Sequence, residues 1–396
     1  MRWLIVEDAL RDRKGHWFEY LGTFARELHA LGDDVTILAD RAAEPFLREQ
    51  LRVQPVLPAS IWHRMGDGAG ALRRYLRVPV HAWQTNRVLK KYLLQNEPFD
   101  VIFVPTVMVH HLLGWTWLIK RVLKAAPGKV VLFFPNTPIF LDENKNEPAW
   151  QPAPTAKLFC RLIRSLRKEV KRGRVILGAE TQPMRAALMQ LTGVPFTYFP
   201  HPVAPLVAPT DARSELPEPS PIIMGSYGSA RHEKGSEVLV AAVEEYCRRH
   251  PAARVQFVLQ SVDGDPKLWA RLENHPKIRL IPDYFPDGEY VRQLGATDVL
   301  LLPYRRSSYA LRVSRVVIEA MVQGLPVVTT RQTTLEDQSK KFGAAVLCVD
   351  GEAETLVQAI HEMVQNFPAM KELAAQQKTV AREHFSVPEF RRILVG

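Results

Sequence analysis

Short apolar runs alternate with helical patterns twice along this chain, and a proline-rich stretch separates the two series. The first series reads "RWLIVE" (strand), "HWFEYLGTFARELHALG" (helix) and "DVTILA" (strand), then "DVIFVP", "KVVLFFP", "RVILGA" and "FTYFP" with helical stretches between most of them. The second runs through "PIIMGS", "RVQFVLQ", "IRLIP", "DVLLLPY", "LPVVTT" and "AAVLCVD", separated by helical runs such as "GSEVLVAAVEEYCRRH". Strand–helix alternation requires right-handed crossovers and a parallel sheet covered on both faces. Between the series, "VAPLVAPTDARSELPEPSP" (Val203 to Pro221) has no periodicity and many turn residues, as a linker does. The chain is therefore predicted to be α/β, with two doubly wound domains at 1–202 and 221–375, a linker at 203–220 and a tail at 376–396. In such sheets ligands bind outside the carboxyl ends of the strands, which predicts a cleft between two facing domains.

With 396 residues, each domain can bury its own core. Hydrophobic residues at 46% beside 24% charged residues describe a soluble globular chain. The cysteines (Cys160, Cys247 and Cys348) are odd in number and far apart, which predicts a reducing compartment, cytoplasmic, and no disulfide framework. "MRWLIVED" is too short and too charged for a signal peptide. Val101 to Ile119, "VIFVPTVMVHHLLGWTWLI", lacks Lys, Arg, Asp and Glu, yet Pro105, His110, His111 and Gly114 argue against a spanning helix. A buried strand followed by a half-buried helix fits it better.

The net charge of +10 is unevenly spread. Lys157 to Arg174, "KLFCRLIRSLRKEVKRGR", holds eight basic residues against Glu169, with apolar residues at helical spacing. Such a basic amphipathic helix covers a sheet with its charges in water, or rests on an anionic membrane surface. Nothing interleaves aromatic and basic residues as a nucleic-acid groove does, so no DNA or RNA partner is expected.

Two segments carry chemistry. In "YGSARHEKGSEVL", Arg231 and Lys234 precede a helix that starts near Gly235, and Gly225, Gly228 and Gly235 permit close backbone approach. Cations, glycines and a helix N-terminus make a phosphate seat, although no GxxxxGK[ST] is present and a solvated loop is the plainer alternative. In "YRRSSYALRVSRVVIEAMVQGLPVVTT", Ser314 is placed to cap a helix whose first-turn amides, from Ser314, Arg315 and Val316, would face an anion. Glu319 follows more than a turn later, where a carboxylate would accept two hydrogen bonds from a vicinal diol. Gly324 and Pro326 stop that helix. Asp263 and Asp265 in "SVDGDP" have the D-x-D look of a metal site, but an Asx turn is the simpler reading. The adjacent His110 and His111 either border the cleft or form an ordinary loop pair.

These pieces, in this order, resemble the GT-B glycosyltransferases, specifically the retaining enzymes of glycosyltransferase family 4. "YGSARHEKG", "DVLLLPY", "IEAMVQGLPVVTT" and "REHFSVPEF" carry the resemblance, which is specific in the second half and diffuse in the first. It implies two Rossmann-like domains, acceptor side first and donor side second, and transfer of a sugar from a nucleoside diphosphate donor to a hydroxyl acceptor with retention. It implies no cofactor and no metal. Glycan, lipid-linked and small-molecule acceptors all remain open. By resemblance, Arg231 and Lys234 hold the donor diphosphate, the backbone at Ser314, Arg315 and Val316 touches phosphate, and Glu319 holds the ribose. Gly15 would face the donor in the turn after the first strand, and His16 would orient the acceptor or simply cap a helix. The tail would pack on the N-terminal domain through Phe385 and Phe390.

Two departures stand out. The family's first glutamate is replaced by Leu311, next to Arg312, and a frequent histidine after the fifth strand is replaced by Pro135 and Asn136. Asn136 and Arg312 are the substitutes available for the sugar. Alternative readings are a nucleotide-sugar epimerase and a non-catalytic nucleotide-sugar-binding relative.

Overall fold

A computed structural model describes residues 1–12, 17–60, 71–123, 128–142, 149–204, 220–286 and 288–395. The chain divides into two compact units, Met1–Pro202 with Val387–Gly396, and Val203–Ser386.

The first unit is built on β1 (Arg2–Val6), β2 (Asp34–Asp40), β3 (Val53–Leu57), β4 (Val101–Val104), β5 (Lys129–Phe134), β6 (Ile139–Asp142), β7 (Ala149–Pro152), β8 (Val175–Ala179) and β9 (Thr197–Tyr198). Seven of these form a parallel sheet in the order β3-β2-β1-β4-β5-β8-β9, while β6 and β7 make a separate antiparallel hairpin. Every residue of "VIFV" in β4 is buried, because helices cover both faces of a parallel sheet. The sequence "VIFVPTVMVHHLLGWTWLI" is thus β4 and most of the helix Val109–Arg121. Among the described residues no helix is long and apolar enough to cross a membrane.

The second unit contains β10 (Ile222–Ser226), β11 (Val255–Gln260), β12 (Ile278–Ile281), β13 (Val299–Leu302), β14 (Val327–Thr330) and β15 (Ala345–Cys348). They form one parallel sheet in the order β12-β11-β10-β13-β14-β15. In each sheet the chain winds outward from its first strand and then returns to that strand's other side. β1 lies between β2 and β4, and β10 lies between β11 and β13. The points where the winding reverses open between β1 and β4 and between β10 and β13.

The tail changes unit later than residue 376. The helix Phe367–His384 stays with the second unit, where Gly324 permits close approach to Ala374, and Phe385 packs on Phe342 with ring centroids 5.1 Å apart. Only the helix Val387–Val395 joins the first unit. There Phe390 stacks on Phe199 at 4.4 Å and meets Phe24 edge-on at 5.0 Å. Arg391 grips Asp33 through Nε at 2.7 Å and a second nitrogen at 3.0 Å, and Lys129 Nζ donates to the Leu394 carbonyl at 2.9 Å. The two expected anchors of the tail therefore serve different units.

Candidate functional site

In the second unit, β10 runs into Tyr227 and Gly228. Gly228 has φ +95° and donates its N–H to Gln260 Oε1 at 2.7 Å, while Gln260 Nε2 donates to the Asp283 carbonyl at 2.7 Å. The amide side chain thereby ties the ends of three adjacent segments together. After the short turn His232–Lys234, Gly235 adopts φ +72°, and a Cβ there would collide with the Pro303 carbonyl. That contact seats the start of the helix Ser236–Arg249 against the end of β13, at the switch point. Only glycine combines the left-handed conformation with such an approach.

Lys234 is carried into this corner, its Nζ 5.7 Å from the centroid of the Tyr304 ring. Burial, and then the nearby Arg231 charge, push its pKa down to about 8, while Glu233 and Glu319 act the other way. Arg231 is more exposed and pairs with Glu233 at 3.1 Å. An ammonium at so low a pKa is short of counter-charge, which an anionic ligand supplies.

Ser314 caps the helix Arg315–Gln323, accepting from Val317 N at 3.5 Å. Gly324 closes the helix at φ +74°, and Leu325 N bonds back to the Ala320 carbonyl at 2.9 Å. Arg315 and Val316 contribute the first-turn amides, as the sequence suggests. Glu319 is 2% exposed. Its Oε1 accepts from Arg315 Nε at 2.8 Å and its Oε2 from the Tyr290 hydroxyl. Each carboxylate oxygen has two lone pairs, so both retain capacity for one more donor. Burial, and then the Glu319 charge, hold the Tyr290 phenol protonated, well above its ordinary pKa.

Leu311 is buried, at 7% exposure, and Arg312 lies over the Tyr309 ring at 5.4 Å. Asp265 caps the short helix Pro266–Trp269, and Asp263 accepts from Ser229 Oγ at 2.7 Å and from Tyr284. The D-x-D pair is thus engaged in loop structure. Tyr290 and Tyr304 were not singled out from sequence. Both reach Glu319 or Lys234 from other elements, and no local spacing announces that.

In the first unit, Asn136 is exposed just beyond β5, with Nδ2 3.8 Å from Met108 Sδ. Gly15 and His16 lie outside the described residues. A cluster that sequence reading only half anticipated occupies the switch point at the end of β1. Asp8 Oδ2 lies 3.0 Å from His81 Nε2 and 3.3 Å from His111 Nε2, and His110 Nε2 lies 3.0 Å from His111 Nε2. His81 comes from the helix Ala71–Gln95, and His110 and His111 come from the first turn of the helix Val109–Arg121. Burial, reinforced by the Asp8 charge, raises Glu7 to about 8. Burial also acts to raise Asp8, but the two histidines outweigh it and hold that carboxyl far below its usual range. Burial drives His110 down to about 3. For His111 the attraction of Asp8 overcomes burial and raises the pKa.

Residues 219–366 match the family model described as Glycosyl transferases group 1, a span that includes both the Lys234 and the Glu319 segments. Solved structures similar over essentially the full length include HepE from Anabaena in complex with UDP and glucose (14% identity, TM-score 0.64, covering 99% of this chain and 98% of that one). A glycosyltransferase from Rickettsia africae matches at 13% identity and TM-score 0.68, covering 99% and 96%. Sucrose-phosphate synthase from Thermosynechococcus elongatus matches at 15% identity and TM-score 0.65, covering 100% and 96%. The fold is GT-B. This GT-B chain is a divergent one, and no curated protein sequence matches it. The α/β, two-unit reading of the sequence and the resemblance to GT-B glycosyltransferases agree with these findings.

Proposed function

We propose that the protein is a glycosyltransferase that moves a sugar from a nucleoside diphosphate donor to a hydroxyl acceptor, with retention and without a metal at the donor seat. The observation that carries this reading is the pairing of Lys234 with the Ser314–Glu319 helix at one switch point. Lys234, Arg231 and the first-turn amides of Arg315 and Val316 supply positive potential for a diphosphate. Glu319, oriented by Arg315 and Tyr290, offers its remaining lone pairs to a ribose diol. During transfer, charge grows on the departing diphosphate, and these fixed donors stabilise it most where water is excluded. UDP-sugars are the first donors to test, since HepE was solved with UDP-glucose and a neighbour from E. coli with UDP-2-fluoro glucose. Incubating the protein with UDP-, GDP- and ADP-sugars and assaying release of the nucleoside diphosphate, with and without glycan, lipid-linked and small-molecule acceptors, tests the reading.

The apolar, buried Leu311 favours a second reading, a nucleotide-sugar-binding protein without transfer activity. Tight binding with no release of nucleoside diphosphate in that assay would select it.

The reading places the protein in the cytoplasm, in keeping with three cysteines that are free and buried. The basic segment supplies a surface for an anionic membrane. The helix Ala156–Ser165 buries Phe159 and Ile163, Leu166 is buried at the joint with the helix Arg167–Lys171, and the segment exposes Lys157, Arg161, Lys168 and Lys171. Arg164 and Arg167 are engaged otherwise, donating to the Leu191, Thr192 and Gly193 carbonyls at the end of the helix Gln182–Thr192.

A further inference from the structure

Glu7 and Asp8 are adjacent carboxylates, 2% and 7% exposed, at the end of a central strand. Buried charge of this kind is paired, protonated or bound to a metal. Among the described residues, the ionic partners of Asp8 are His81 and His111, whose Nε2 atoms converge on a single carboxylate oxygen. All three donor atoms lie within 4.8 Å of one another. Against them sits a cavity of about 20 Å³, room for one water-sized atom, lined by Glu7, Asp8, Thr85, Thr106 and His111 among others. Glu7 Oε2, on that wall, is buried without a hydrogen-bond partner among the described residues.

We propose that Asp8, His81 and His111 form a three-ligand site for one divalent transition-metal ion, Zn²⁺ by preference, with an open position toward this cavity. Ligand bonds of about 2.0–2.2 Å in a tetrahedral site set neighbouring donor atoms about 3.3–3.5 Å apart. The Asp8–His111 separation of 3.3 Å fits, and the Asp8–His81 separation of 3.0 Å needs only a small widening. Two imidazoles with one carboxylate suit Zn²⁺ and its first-row neighbours, whereas Mg²⁺ and Ca²⁺ favour oxygen alone. Ligation at His111 Nε2 needs the ring proton on Nδ1, the nitrogen that accepts from the Met108 N–H at 3.2 Å in this structure, so metal uptake requires that contact to open. The open position would take water or one hydroxyl, with Glu7 beside it. The site is built wholly from residues of the first unit, and its ligands are argued without the glycosyltransferase reading.

The test is a calorimetric titration of EDTA-treated, dialysed protein with Zn²⁺ alone, followed by the visible spectrum of the Co²⁺ form. The expected result is one ion per chain and a Co²⁺ spectrum of nitrogen and oxygen ligation. Asp8→Asn and His81→Gln should each weaken binding about 100-fold or more, ligands mattering at least as much as their supporting partners. His250→Gln should leave binding unchanged, although His250 stacks on His361 at 4.4 Å in the second unit and is the obvious rival. Absence of Zn²⁺ uptake by the unsubstituted protein overturns the proposal, and so does undiminished binding in both ligand variants. If those variants fail to fold, the Co²⁺ spectrum decides, because a thiolate charge-transfer band would place the ion on cysteine instead.

Discussion

Arg315 Nε donates to Glu319 Oε1 at 2.8 Å across one turn of the same helix, with the carboxylate side chain 3% exposed and the guanidinium side chain 26%. An isolated buried carboxylate at this position would make Glu319→Gln neutral or stabilising, because an unpaired charge is costly to bury. The Arg315 and Tyr290 contacts reverse that expectation. Glu319→Gln should lower the stability of ligand-free protein by about 1–2 kcal/mol, the range for losing a charge-assisted bond with a partner that water can reach. It should also weaken nucleoside diphosphate binding by about 1.5–3 kcal/mol. Urea unfolding and calorimetry read the two effects separately. Full affinity in the variant would assign Glu319 to helix structure alone.

Lys234→Ala should cost about 1.5–3 kcal/mol in nucleoside diphosphate binding while barely affecting the bare nucleoside. Equal losses for both ligands would show that Lys234 supports the fold and does not touch phosphate.

The same lysine gives a pH dependence. Its pKa in the folded protein is lowered to about 8, so the ammonium is present below that pH and lost above it. Diphosphate affinity should therefore fall as pH rises from 7 through 9, and this fall should vanish in Lys234→Ala. The unfolded chain holds its proton up to the ordinary lysine range, so between about pH 8 and 10 this group makes stability rise with pH. Affinity and stability should thus move in opposite directions across that window.

For the tail, Phe390→Ala should destabilise the protein by about 3–5 kcal/mol, the cost of emptying an aromatic core site. The ring fills a pocket among Phe24, Phe103, Phe133 and Phe199. Denaturant unfolding measures it, and a loss below about 1 kcal/mol would mean that the helix Val387–Val395 is not part of this core.

Replacing Lys157, Arg161, Lys168 and Lys171 by glutamate should abolish sedimentation with anionic liposomes and leave the circular dichroism unchanged. Each cation near such a surface contributes about 1 kcal/mol. Arg164 and Arg167 are left alone, since they hold the end of the helix Gln182–Thr192. Failure of the unsubstituted protein to bind anionic vesicles retires the membrane surface.

Local patterns carried the fold in the sequence. Runs such as "VIFV" and "VLLL" are strands buried on both faces, and Ser314 and Gly324 bound their helix by capping chemistry that is read residue by residue. The exchange of the tail between units was harder to place, because Phe385 and Phe390 look alike in sequence and differ only in what they meet. The sites were readable where they are contiguous. Arg231, Lys234 and the Ser314–Glu319 segment announce themselves by spacing, whereas Tyr290 meets Glu319 from 29 residues away and His81 meets Asp8 from 73. No periodicity encodes such a meeting, which only the winding of the sheet creates.

The central claim is that a nucleoside diphosphate sugar binds at the end of β10 and β13 and gives up its sugar. Calorimetry of the unsubstituted protein against UDP-, GDP- and ADP-sugars, with release of the nucleoside diphosphate followed in the same samples, tests it most directly. The account predicts saturable binding of one nucleotide class at one site per chain, weakened by about 1.5–3 kcal/mol on substituting Lys234 or Glu319, and release of that diphosphate when an acceptor is supplied. Absence of binding across the whole panel, or binding undiminished by both substitutions, would contradict it.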